Sequence, residues 1–185
     1  MKRSFTALLR LLLIIGCLGF GKSFAQTTVW VVRHAEKDVS DPKNADPPLS
    51  DAGTQRAKDL DTYLADQRVA AIYSTKYKRT QATGAPLAAR AGLTIISYDP
   101  KDPGALAKEV VAAFRGKSVL VVGHSNTVLE LVEAFGGKRP VKALSDEDYD
   151  YLFKVTVADN GEVKTASVQY GAKHRDVPVT GTTNR

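Results

Sequence analysis

Arg33-His34 and Gly123-His124 each follow directly on an apolar run, Val29-Trp30-Val31-Val32 in one case and Val119-Leu120-Val121-Val122 in the other. An imidazole with an ordinary pKa of about 6.5 is largely neutral at pH 7, and a ring nitrogen then serves as nucleophile, base or hydrogen-bond donor. A guanidinium stays charged, and its planar fork matches two oxygens of a phosphate at once. An arginine beside a histidine at a buried strand end therefore points to a bound anion. A single histidine in such a place is ordinarily a hydrogen-bonded surface or core residue; two at matching places, one with an arginine beside it, suggest a shared site. Gly123, without a side chain, would let backbone or ligand approach His124 closely. The third histidine, His174, sits in a polar tail between Lys173 and Arg175 and reads as a surface residue.

The elements that must position these residues are legible as alternating apolar runs and helical patterns. Val29 to Val32 reads as a strand, and a polar segment with Pro42, Pro47 and Pro48 follows. Ser50 is placed as the N-cap of a helix that presents Ala57, Leu60 and Leu64 on one face and runs to about Ala65. Val69–Tyr73 is a second strand, Arg79–Ala91 a second helix closed by Gly92, and Leu93–Ser97 a third strand. Pro103 opens a helix through Leu106, Val110 and Phe114 that stops at Gly116, ahead of the strand Val119–Val122. Asn126–Phe135 continues as a helix until Gly136-Gly137. Tyr151–Ala158 and Val163–Tyr170 flank Asp159-Asn160-Gly161, a hairpin signal.

This pattern predicts an α/β fold: a three-layer sandwich with a mostly parallel central sheet and an antiparallel element at one edge. In such sheets ligands bind outside the carboxyl ends of the strands, the place predicted for both His34 and His124.

Three stretches of the chain resemble the histidine phosphatase superfamily, the phosphoglycerate mutase-like proteins. Val31-Val32-Arg33-His34-Ala35-Glu36-Lys37 is similar to its nucleophile motif, and the segment from Tyr73 to Gly84, with Arg79 inside it, to its second arginine motif. Val121-Val122-Gly123-His124-Ser125-Asn126-Thr127 is similar to its second histidine motif, and Pro48-Leu49-Ser50-Asp51-Ala52-Gly53 to its entry into the first helix. The resemblance spans about residues 28 to 170. It implies a phosphoglycerate mutase-like fold and a phosphatase without metal or other cofactor. His34 would be the nucleophile, and Arg33, Arg79 and His124 the phosphate cradle. For the acid that protonates the leaving group it leaves two candidates, Glu36 and Asp99. Glu36 has a structural alternative as well, an ion pair with Lys37 or Arg79.

Several other features read as structural. Thr75, Thr80 and Thr83 are expected to cap the second helix and orient Arg79, and Asp146-Glu147-Asp148 with Asp150 to form a solvated turn, with a cation site as the alternative. His34-Ala35-Glu36-Lys37 lacks the two-histidine helical zinc spacing, and no glycine-rich nucleotide loop is present.

Composition bounds the rest. With 185 residues, 43% hydrophobic and 25% charged, the chain suits one globular domain rather than disorder or several domains. Residues 1–25 stand apart: Lys2, Arg3 and Arg10 precede the uncharged run Leu11–Phe20, and Ser23-Phe24-Ala25 offers a cleavage site before Gln26. This is the pattern of a secretory signal peptide, too short for a transmembrane anchor, and it predicts a periplasmic or secreted domain over residues 26–185. A second reading takes Ile14-Ile15-Gly16-Cys17 as a lipoprotein box with Cys17 lipidated.

Removing the leader takes four basic residues and no acid from a formal charge of +6, leaving +2. Without a basic stripe interleaved with aromatics, nucleic acid is not an expected partner. Cys17 is the only cysteine, which excludes an intramolecular disulfide and a thiol nucleophile in the domain. The expected partner is a phosphorylated small molecule, a sugar phosphate or a phosphoprotein. The rivals are a non-catalytic anion-binding module on the same fold, a phosphotransferase and a scaffold without a site. The residues carry no signature of oligomeric state.

Overall fold

The computed structural model describes residues 26–173. The elements run β1 (Gln26–Arg33), α1 (Asp51–Tyr63), a 3-10 turn (Ala65–Gln67), β2 (Val69–Ser74), α2 (Lys78–Ala91), β3 (Ile95–Ser97), α3 (Pro103–Ala113), β4 (Ser118–Gly123), α4 (Val128–Ala134), β5 (Tyr151–Ala158) and β6 (Val163–Gln169). The six strands form one sheet in the order β3-β2-β4-β1-β5-β6. The first four are mutually parallel; β5 runs antiparallel to β1, and β6 antiparallel to β5. The expected mostly parallel sheet with an antiparallel edge is therefore present.

Why both faces of the sheet are covered follows from the strands themselves. Side chains alternate across a strand. Val29 and Val31 of β1 face a core shared with Leu106 and Val110 of α3 and with Leu131 and Val132 of α4. Trp30 and Val32 face the opposite core, with Leu60 of α1, the adjoining Leu64, and Leu87 of α2. A strand buried on both sides must be apolar at every position, which is why β1 and β4 read as continuous runs rather than alternating ones. The outermost strand β3 differs. It is shorter than the expected Leu93–Ser97, and Ile96 is 39% exposed because no strand lies beyond it.

The ends of the helices follow local chemistry. Ser50 caps α1, its side chain accepting the Gly53 N–H at 3.1 Å, and Gly92 closes α2 in the left-handed region at φ 66°. Gly53 is required for a second reason. A Cβ there would collide with the Glu36 carbonyl oxygen, so the first turn of α1 lies directly against the backbone that follows His34. α4 starts later than the expected Asn126, at Val128. The Thr127 hydroxyl accepts the His124 N–H at 3.0 Å, and the Thr127 and Val128 amides both donate to the His124 carbonyl, which holds residues 124–127 as a turn.

Candidate active site

β1 ends at Arg33 and its neighbour β4 at Gly123, and these two residues are register partners. The residues that follow, His34 and His124, therefore leave the sheet side by side at the same level. The His34 N–H donates to the Gly123 carbonyl at 2.9 Å, and the two imidazole rings lie 5.4 Å apart between centroids at 67°. On the other side of β4, β2 ends at Ser74, paired with Val122, and the chain turns through Thr75–Tyr77 into α2, whose second residue is Arg79. Three adjacent parallel strands thus deliver Arg33, His34, Arg79 and His124 to a single cleft of about 390 Å³ at the carboxyl edge of the sheet. Lys37, Tyr77, Asn126 and Asp146 also line it. A larger apolar groove of about 690 Å³, lined by Thr27, Phe135 and Val157 among others, contains neither histidine.

His34 is only 5% exposed. Its Nδ1 lies 2.8 Å from the Ala35 carbonyl, which can only accept, so Nδ1 carries the hydrogen and Nε2 keeps the lone pair. Burial is the main cause that lowers its pKa, to about 3, with Arg33, Arg79 and His124 adding to the effect against the Ala35 hydrogen bond. His124 is lowered to about 4, first by burial and then by Arg79 and Arg33. A lowered pKa means that the proton leaves more easily, so both rings are neutral at pH 7 and His34 presents an unprotonated nitrogen.

The two arginines are held differently. Arg33, 5% exposed, donates from Nη1 to the carbonyls of Ser145 at 2.9 Å, Asp146 at 3.0 Å and Asp148 at 3.4 Å, and its guanidinium lies 4.0 Å from the centre of the Tyr149 ring. Arg79 sits 4.5 Å from the Tyr77 ring, with Nη1 3.6 Å from Asp46 Oδ1. Each guanidinium also has a buried Nε with no partner among the described residues. Buried N–H donors of this kind beside neutral imidazoles can hold an anion.

Other expectations are corrected by the geometry. Glu36 pairs with neither Lys37 nor Arg79. Arg56 Nε donates to both of its oxygens, at 2.8 and 2.9 Å, while the same guanidinium reaches the Tyr170 and Ala172 carbonyls. Asp99 is exposed and accepts the Lys101 N–H, and neither it nor Glu36 lines the cleft. Tyr77, the N-cap residue of α2, supplies no side-chain cap, and the Lys78 N–H donates to Asp46 Oδ1 at 3.1 Å. Instead of capping, Thr75 Oγ1 lies 3.0 Å from His124 Nε2 and 2.8 Å from Thr80 Oγ1. Thr83 accepts the Ala35 N–H at 2.9 Å and donates to the Arg79 carbonyl, tying the His34 loop to α2.

The acidic turn is not uniformly solvated. Asp148 is 1% exposed and accepts the Ser145 N–H and hydroxyl at 2.7 and 2.8 Å, and Asp150 is also buried. The space beside Gly123 is taken by protein: a Cβ there would meet Thr127 Oγ1 and the Tyr98 hydroxyl at 3.1 Å. His174 lies outside the described residues. Sequence reasoning passed over Tyr77, Tyr149 and Arg56. The signal available for Tyr77 was its place two residues before Arg79; Tyr149 and Arg56 had none short of the tertiary fold.

The family model described as histidine phosphatase superfamily (branch 1) matches residues 29–100, the stretch that contains Arg33, His34 and Arg79. No curated protein matches the sequence. Among solved structures, the fold is similar to that of the protein histidine phosphatase SixA complexed with tungstate, with a TM-score of 0.62 at 18% identity, over 77% of this chain and 96% of that one. It is also similar to a mycobacterial glucosyl-3-phosphoglycerate phosphatase, with a TM-score of 0.59 at 14% identity, over 80% and 100% of the two chains. A phosphoserine phosphatase from Entamoeba histolytica in complex with 3-phosphoglyceric acid gives a TM-score of 0.60 at 11% identity, over 80% and 98%. Residues 29–100 thus match the histidine phosphatase superfamily model, and the described chain shares its fold with these solved phosphatases.

Proposed function

We propose that this protein is a phosphatase that hydrolyses a phosphate monoester by way of a phosphohistidine on His34. The observation that carries this reading is the convergence of two imidazoles and two guanidiniums on one cleft, with His34 in the tautomer that leaves Nε2 unprotonated. In the first step the Nε2 lone pair attacks phosphorus, the bond to the ester oxygen breaks, and that oxygen leaves with the electron pair and takes up a proton. In the second, water attacks phosphorus, the nitrogen–phosphorus bond breaks, and inorganic phosphate and a regenerated imidazole result. The sum is ester plus water giving alcohol plus phosphate.

Phosphoryl transfer needs positioning and charge stabilisation above all, and Arg33 and Arg79 supply both to the phosphoryl oxygens. Burial and then the charges of Arg79 and Arg33 hold the His124 pKa down; an anion between the arginines offsets the second cause, so His124 gains a proton more readily and donates to the same group. The leaving group's proton is the weaker provision. Glu36 is engaged by Arg56, Asp99 lies off the cleft, and the lining carboxylate is the exposed Asp146. Leaving groups that need little help suit this site: aryl oxides and phosphoramidates, protein phosphohistidine among them. The likeness to SixA supports a phosphoprotein substrate, and the likeness to the two small-molecule phosphatases supports a sugar phosphate or another small ester.

The test is a substrate panel of 4-nitrophenyl phosphate, a sugar phosphate and a phosphohistidine peptide, each with and without chelator. Hydrolysis of the aryl ester that is indifferent to chelator is the expected result. Activity lost to chelator would end the metal-free mechanism, and phosphate binding without hydrolysis would leave an anion-binding module.

We place the domain in the periplasm or outside the cell. Residues 1–25 and Cys17 lie outside the described residues, so the support is the leader's sequence pattern; among the described residues no helix is long and apolar enough to cross a membrane. N-terminal sequencing of the exported protein is expected to read from Gln26. A blocked, lipidated Cys17 would replace the signal peptide with a lipoprotein anchor.

A further inference from the structure

The turn between α4 and β5 has no place in the motifs that identify the site, yet it holds Arg33 on two sides. Asp148 builds the turn: its Oδ2 accepts both the N–H and the hydroxyl of Ser145, and its own N–H donates to the Ser145 carbonyl at 3.3 Å. So constrained, the carbonyls of Ser145, Asp146 and Asp148 converge on Arg33 Nη1. The next residue, Tyr149, lays its ring 4.0 Å from the guanidinium and 6.1 Å from the His34 ring.

A guanidinium is a rigid plane, so holding one terminal nitrogen and one face determines where its other N–H groups point. Carbonyls have a further advantage over a carboxylate in that role. They orient the cation without cancelling its charge, which stays available to an anion in the cleft.

We propose that residues 145–149 form a positioning turn for Arg33, in which Asp148 sets the carbonyls and Tyr149 closes on the guanidinium face, so that oxyanion affinity depends on both. Neither side chain is a catalytic residue; each acts through Arg33. The proposal rests on the phosphatase reading of the cleft only in its turnover measurement, because binding of inorganic phosphate tests it independently.

The experiment uses Tyr149→Leu, Tyr149→Phe, Asp148→Ala and Asp148→Asn, each also combined with Arg33→Ala. Phosphate affinity is measured by calorimetry and kcat/KM with 4-nitrophenyl phosphate. Tyr149→Leu and Asp148→Ala are expected to weaken phosphate about tenfold and lower kcat/KM by a similar factor, an order of magnitude suited to a misplaced charge-assisted contact. Tyr149→Phe keeps the ring face and Asp148→Asn keeps an acceptor, so both lose less. In the Arg33→Ala background the substitutions have no further effect, the signature of action through one partner.

Equal losses with and without Arg33, or wild-type affinity in the two disruptive variants, overturn the proposal. Circular dichroism checks folding, and if Asp148→Ala does not fold, the half-buried Tyr149 carries the test alone. A wild-type protein that binds phosphate and hydrolyses nothing defeats the phosphatase reading but leaves this one standing on affinity; a wild-type protein that binds no phosphate defeats both.

Discussion

Replacing His34 with alanine is expected to abolish turnover, a loss of roughly 10^4-fold or more in kcat, because no covalent intermediate can form without the nucleophile. His34 is well isolated for such a test. The hydrogen bond from Nδ1 to the Ala35 carbonyl is local, and the backbone contact to Gly123 does not involve the side chain. The folded protein should therefore persist and still bind phosphate through its arginines, which separates loss of chemistry from loss of structure.

The same residue predicts the acid side of the pH profile. With its pKa lowered to about 3, the free-enzyme imidazole is neutral from pH 5 to pH 8. Once the substrate's own ionisation is measured and divided out, kcat/KM is expected to show no decline centred near 6.5 between pH 8 and pH 5. A decline there that belongs to the enzyme and vanishes in no other variant would mean an ordinary, solvated histidine and would sink the buried-nucleophile account.

Arg79→Ala carries the second largest expected effect, about 10^2- to 10^3-fold in kcat/KM, the range typical of removing one preorganised donor from a developing oxyanion. Its guanidinium is fastened less firmly than that of Arg33. The Asp46 contact is long at 3.6 Å, and the centre of the Tyr77 ring lies 4.5 Å from the guanidinium. More of its interaction capacity is therefore left for substrate. Arg79→Lys keeps the charge but loses the fork, so recovery is expected to be partial. Full activity in Arg79→Lys would show that the charge alone matters, and an unaffected Arg79→Ala would remove this residue from the cradle. Removing Arg79 also takes away one positive neighbour that lowers the His124 pKa, so His124 is expected to titrate at higher pH in that variant, observable by NMR.

Much of the site was legible because it depends on short-range patterns. Continuous apolar runs ending in Arg33-His34 and Gly123-His124 predict parallel strands, and parallel strands predict that residues just past their ends converge. The structure puts those two ends in register. Ser50 and Gly92 were legible for the same reason, since a cap acts within one turn of its own helix.

What stayed hidden were the distant partners of the charged and hydroxylic side chains. Glu36 meets Arg56 across 20 residues, Thr75 meets His124 across 49, and Arg33 meets the Ser145 carbonyl across 112. Asp148 read as solvated because a run of acids ordinarily is; its burial follows from the entry of the chain into β5 beside β1. Hydrophobic periodicity is written locally, residue by residue, so the sequence by itself determined the strands, the helices and which residues lie at the sheet's carboxyl edge. Hydrogen bonds are directional and fade within a few tenths of an ångström, and which distant groups come that close depends on the strand order β2-β4-β1-β5. Only the tertiary structure decided that order in space, and with it that Glu36 belongs to Arg56 and that a turn from beyond α4 holds Arg33.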